Sequence, residues 1–235
     1  MHVEFDWQVI SLIFISTLVA YTFPLFLKLE RHESLWKISS IAYLGLAMIG
    51  FYLLLHSQSV QALYIIALLC FSTLFYYLPL GKVGSFREIP FVKVFLISLM
   101  WTLATVPFPL SYDGFSIFGT DVLLLMIERF LFVLAITIPF DVRDTKVDRK
   151  GGLVTLPVFI GWQNALFLSV FILILYLIVT ICHYGFGNIA FARMICVFAV
   201  LILIQKINFT RSSYYYTGLL DGTMTFQSLL LYVIV

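Results

Sequence analysis

Asp141, Asp144 and Asp148 are three carboxylates spaced i, i+3, i+7 in a polar stretch, residues 141–161, that separates two long apolar runs. On a helix they fall within roughly 60° of one another, and Arg143, Lys146 and Lys150 fall on the far side. Carboxylates on adjacent turns are hard oxygen ligands of the kind Mg²⁺ takes, usually one or two of them together with the phosphate oxygens of a substrate. A carboxylate face beside basic residues is therefore a candidate holder of a diphosphate. The plain alternative is that a loop between apolar runs has to be polar, and three aspartates alone do not decide between the two.

The wording that follows narrows the choice. After the carboxylates come Arg149, Lys150 and Gly151, then Thr155, Leu156, Pro157 and Val158, with Gly161 beyond. This string resembles the second aspartate-rich motif of the UbiA superfamily of intramembrane prenyltransferases, in which D-x-x-D-x-x-x-D precedes a basic residue, a glycine, a T-L-P-V-like segment and another glycine. The run Arg87, Pro90, Lys93 likewise resembles that family's R-x-x-P-x-x-K-like connection. The resemblance implies an all-α transmembrane bundle whose central cavity opens to the cytoplasm. It implies Mg²⁺ held on aspartates, and transfer of a prenyl group from a prenyl diphosphate to a lipophilic acceptor. Asp141, Asp144 and Asp148 would be the catalytic carboxylates and metal ligands, and Arg87, Lys93, Lys146 and Arg149 the diphosphate contacts.

One family feature is missing. The first motif, of the type N-D-x-x-D, closes the family's second span, and the residues in its place here, 20–33, contain no aspartate. Glu30 and Glu33 offer substitute oxygens, though two glutamates among Lys28, Arg31 and His32 more often make a solvated loop. The departure keeps two function classes open. One is a divergent prenyltransferase; the other is a noncatalytic membrane protein that retains the scaffold and binds a prenyl lipid or a protein partner. A pore or transporter is a distant third.

The elements that must position these residues are membrane helices. Of the 235 residues, 62% are hydrophobic and 11% charged, against about 45–50% and about 25% in a typical soluble domain. So apolar a chain reads as one integral membrane domain, residues 1–235, in contact with membrane lipids. A net charge of +2, with no basic run standing apart from the spans, carries no signal for nucleic acid, and no nucleic-acid partner is expected. Cys70, Cys182 and Cys196 sit inside apolar runs without metal-type spacing and are expected to be buried core thiols. His2, Glu4 and Asp6 precede the first run where a secretory signal would carry Lys or Arg, so that run is expected to be retained as a span.

Eight runs are long enough to cross a bilayer, at 7–27, 36–55, 62–78, 91–110, 119–140, 162–182, 189–205 and 217–235. All are expected to be helical, since an open strand leaves backbone groups unpaired in lipid. Three follow the second motif, as in the family, and five precede it, so the chain resembles a member lacking the first helix. Twelve of the 14 Lys and Arg fall in alternate connections, which the positive-inside bias places in the cytoplasm. Those connections are 28–37, 79–93, 141–161 and 206–216.

Two charges inside the fifth run stand out. Glu128 and Arg129 are expected near mid-membrane, where a charge costs roughly 2.5–3.5 kcal/mol on insertion scales and needs a partner. Glu128 shares a helical face with Asp121, and Arg129 is expected to meet a carboxylate on another helix. Tyr214, Tyr215 and Tyr216 read as an aromatic belt, and Asp221 as a partner for a basic residue of a neighbouring connection.

Overall fold

In the computed structural model, residues 7–28, 45, 48–50, 52, 59–77, 91–150, 152–207 and 211–234 are described. The expected span 36–55 lies almost wholly outside them, as do Glu30, Arg31, His32, Glu33 and Arg87. The regular structure of the described residues is all helical: α1 (Trp7–Lys28), α2 (Val60–Tyr77), α3 (Val92–Thr105), α4 (Pro107–Tyr112), α5 (Thr120–Lys150), α6 (Leu156–Ile160), α7 (Trp162–Tyr184), α8 (Asn188–Gln205), a π-helix (Tyr215–Leu220) and α9 (Gly222–Ile234). Four segments are long and apolar enough to cross a membrane: Val92–Tyr112, Thr120–Lys150, Trp162–Tyr184 and Asn188–Gln205. The first of these is broken at Val106, at φ −119° and ψ −74°, where Pro107 has no N–H to continue the ladder and starts a new turn.

Burial along these helices is the inverse of that in a water-soluble bundle. On α7 the buried positions are Ala165, Ser169, Ile172, Leu173, Tyr176 and Thr180, whereas Phe167, Phe171, Ile174 and Ile178 are exposed. The small and polar groups Ala165, Ser169 and Thr180 face the protein together with Ile172, Leu173 and Tyr176, and further large apolar side chains face outward, as a lipid environment selects. With tails outside as apolar as leucine, helices gain by bringing backbones close together and by hydrogen bonding between helices. Cys70 and Cys182 belong to the outward surface and only Cys196 is buried. The expectation of three core thiols therefore holds for one, because an apolar run in a membrane helix has a lipid face as well as a core face.

The buried apolar side chains form two clusters. One joins α1, α2 and α4 through Val9, Leu12, Ala62, Ile65, Phe108 and Tyr112. The larger one is built on α5, α7, α8 and the π-helix, with Phe132, Ile136, Leu173, Tyr176, Val200 and Tyr216 among its members. Helix α5 is the axis of this second cluster. At 1.5 Å per residue its 31 residues are about 46 Å long, against about 30 Å for a hydrocarbon core. The expected loop at 141–150 is thus three further turns of the helix that precedes it.

Pro139 lies inside α5 and has no N–H, which leaves the carbonyl of Ala135 without its intrahelical donor. Ser169 on α7 supplies the replacement, its Oγ donating to Ala135 O at 2.6 Å. The proline is thereby tolerated in a buried helix, and the same bond ties α5 to α7. Ser98 and Thr102, by contrast, donate within their own helix to the carbonyls four residues back, both at 2.7 Å.

Candidate functional site at the aspartate end of α5

The last three turns of α5 bury one face. Asp141, Val142, Thr145 and Asp148 are buried, Arg143 and Asp144 are half-buried, and Lys146, Arg149 and Lys150 are exposed. The helix then stops in a Schellman turn: Leu153 N–H donates to Asp148 O at 2.9 Å and Gly152 N–H to Arg149 O at 3.3 Å. Gly152 takes φ 73° there, a left-handed conformation that costs glycine little. Thr155, extended, stands at the N-cap position of the short helix α6 without a side-chain cap bond, Pro157 falls in its first turn and Gly161, at φ 88°, ends it. The T-L-P-V wording thus has a local meaning: an extended cap residue, a proline where a free N–H is not needed, and a glycine that redirects the chain into α7.

The three carboxylates do not act as one cluster. Asp141 is 2% exposed and accepts from Lys93 Nζ of α3 at 2.5 Å. Asp144 accepts a fork from Arg143, Nε to Oδ1 at 2.7 Å and Nη2 to Oδ2 at 2.9 Å. Arg143, expected on the far side of the helix, instead folds over its neighbour. Its guanidinium also sits 5.5 Å from the Phe140 ring and 5.3 Å from the Tyr216 ring. Asp148 is left over. Its Oδ2 is buried and has no hydrogen-bond partner among the described residues, and the same holds for Thr155 Oγ1.

The donor chemistry permits a test of fit for Mg²⁺. No group of three His, Cys, Asp or Glu side chains among the described residues comes together as a metal cage. A buried carboxylate oxygen with no partner is nonetheless costly to keep. Asp148, with Asp144 one turn before it, fits the mode in which Mg²⁺ takes one or two protein carboxylates and fills its remaining positions with phosphate and water. Lys93 is brought to this end of α5 by its ion pair with Asp141. Lys146 and Arg149 lie on its exposed side.

The π-helix closes the same end. Asp221 N–H donates to Tyr216 O at 3.0 Å, five residues back, and such π turns are frequent at functional sites. Tyr215 hydroxyl donates to Leu203 O at 2.6 Å, and Tyr216 packs on Phe140 with ring centroids 5.7 Å apart. Only Tyr214 is exposed, so the expected aromatic belt is one tyrosine with two others built into the fold. Asp221 is half-buried and feels the charge of Arg143.

At the other end of α5 the charged residues also find partners, though not all those expected. Glu128 is 2% exposed. Its Oε2 accepts from Arg193 Nη1 of α8, and its Oε1 stands 3.1 Å from His183 Nδ1 of α7. Arg129 meets no carboxylate among the described residues; it donates to the Gln227 amide oxygen of α9 at 3.4 Å. Glu128 is eight residues from the start of α5, about 12 Å at 1.5 Å per residue, against a hydrocarbon core about 30 Å thick. The reading of the sequence passed over Arg193, the only charged residue of the apolar run 189–205. That isolation was the available signal.

Fold and burial define an all-helical protein with four helices long and apolar enough to cross a membrane. The chain matches no family model, no curated protein and no solved structure.

Proposed function

We propose that this protein is a divergent UbiA-like prenyltransferase, a multi-pass membrane protein whose aspartate end faces the cytoplasm. It would move a prenyl group from a prenyl diphosphate to a lipophilic acceptor with the help of Mg²⁺. The observation that carries the reading is the buried oxygen of Asp148, which has no partner among the described residues, at the point where the string 141–161 resembles the family's motif. Asp148 and Asp144 would hold the metal ion, whose charge offsets that developing on the departing diphosphate. Lys146 and Arg149 would contact the diphosphate from the exposed side of α5, Lys as a point charge and Arg as a fork. Lys93 would divide its charge between Asp141 and a phosphate oxygen. Arg143 would have to turn away from Asp144, and the Phe140 and Tyr216 rings already under its guanidinium give it a place to go.

A second reading has its own observation. Asp141 and Asp144 are each neutralised by a cation of the chain itself, which suits a noncatalytic protein that binds a prenyl lipid or a partner without ionising a diphosphate. Release of diphosphate from purified protein in lipid, with a panel of prenyl donors and acceptors, separates the two. Multiple turnovers that vanish in Asp144→Ala are expected for the enzyme. Mg²⁺-dependent binding of a prenyl diphosphate without its release supports the second reading, and binding equally strong with and without Mg²⁺ removes the metal-site assignment.

With no aspartate at 20–33, turnover is expected to be slow. Each 1.4 kcal/mol of lost transition-state stabilisation is about tenfold in rate.

A further inference from the structure

The end of α5 away from Asp141 holds more cationic donors than anionic acceptors. Two guanidinium groups border Tyr176 here, Arg129 through Gln227, which donates to the Tyr176 hydroxyl, and Arg193 with its guanidinium carbon 5.9 Å from the Tyr176 ring. Among the described residues Glu128 is the buried carboxylate beside them. Both of its oxygens are engaged, by Arg193 Nη1 and by His183. Asp121, the other carboxylate near this end, is 91% exposed and stands 3.9 Å from His183 Nε2.

A guanidinium offers five N–H donors, and among the described residues Arg129 has one hydrogen bond, to Gln227 Oε1 at 3.4 Å. Gln227 is itself fixed, since its amide donates to the Tyr176 hydroxyl. On Arg193, which is 7% exposed, Nε is buried and has no partner among the described residues. Tyr176, which accepts from Gln227 and lies against Arg193, is a neutral phenol and brings no negative charge. Arg129 is nine residues into α5, about 14 Å from its start, and about 18 Å along the helix from Asp141. A charge placed that deep among apolar helices ordinarily has a counter-ion.

We propose that Arg129, held by Gln227, and the Nε–H of Arg193 donate to a bound oxyanion, the carboxylate or phosphate group of an amphiphile or of a small free anion. This is a second polar site, on the opposite half of the bundle from the aspartates. An oxyanion suits it because a planar fork pairs best with a group presenting two oxygens. The site also supplies the charge balance that Glu128 alone cannot give to two arginines.

The test uses the full-length protein in phosphatidylcholine nanodiscs and reads its thermal midpoint with four probes: oleate, phosphatidic acid, acetate and inorganic phosphate. A rise with oleate or phosphatidic acid alone supports the site and assigns it to a lipid; a rise with acetate or phosphate supports it and assigns it to a free anion. Arg129→Gln is expected to weaken the response about tenfold or more, the scale of 1.4 kcal/mol. In phosphatidylcholine alone the same variant should melt no lower than wild type, because it removes an unneutralised cation. Gln227→Glu places a carboxylate of the chain against Arg129, and is expected to abolish the response while raising the probe-free midpoint. No rise with any probe, or a wild-type response in Gln227→Glu, overturns the proposal.

Discussion

Buried charges at both ends of α5 set the residue-scale expectations. Lys93 and Asp141 are 17% and 2% exposed and form one ion pair. Removing one partner of a buried pair strands the other, typically at about 3–5 kcal/mol, whereas replacing both with apolar groups is often neutral. Lys93→Met is therefore expected to lower the thermal midpoint strongly, and Lys93→Met with Asp141→Leu to recover most of the loss; a double variant no better than the single one rules out the pair as the cause. Asp148 behaves differently, because its Oδ2 has no described partner to lose. Asp148→Asn should leave the metal-free protein as stable as wild type or more so. It should also lose the stabilisation that Mg²⁺ with a prenyl diphosphate gives, both read as melting curves with and without those additions.

Among the elements, α5 is the informative one because a proline sits in its buried middle. The Ser169 hydroxyl occupies the carbonyl that Pro139 leaves open. Ser169→Ala should cost about 1–3 kcal/mol, the range for a buried acceptor left unsatisfied. In a Pro139→Ala background the helix recovers its own donor, so the same Ser169→Ala change should cost much less. A double-mutant cycle on unfolding measures the coupling, and additive effects would mean that the serine and the proline do not share this carbonyl.

For the whole molecule, the sided charges and the long α5 make a topological expectation. A cysteine at Val147, which is 72% exposed, should be protected from an impermeant reagent outside intact cells. A cysteine at Phe186, in the connection between α7 and α8 and 88% exposed, should react. Thr145 is unsuitable for the purpose because it is 8% exposed. Equal labelling at Val147 and Phe186 would contradict a single crossing by α7.

The sequence by itself determined which segments are helical and roughly where they run: 162–182 and 189–205 became Trp162–Tyr184 and Asn188–Gln205. A bilayer-length apolar run has no other way to satisfy its backbone, so length and composition suffice. It also marked Asp141, Asp144 and Asp148 as a face of one helix, because that spacing is a property of the chain. Only the tertiary structure decided what each carboxylate does. Lys93 and Asp141 are 48 positions apart, Arg193 and Glu128 are 65 apart, and no local pattern links residues brought together by the packing of separate helices. The same holds for the cysteines and tyrosines: hydrophobic periodicity is nearly flat in a membrane helix, so the face turned inward is set by which neighbours it meets.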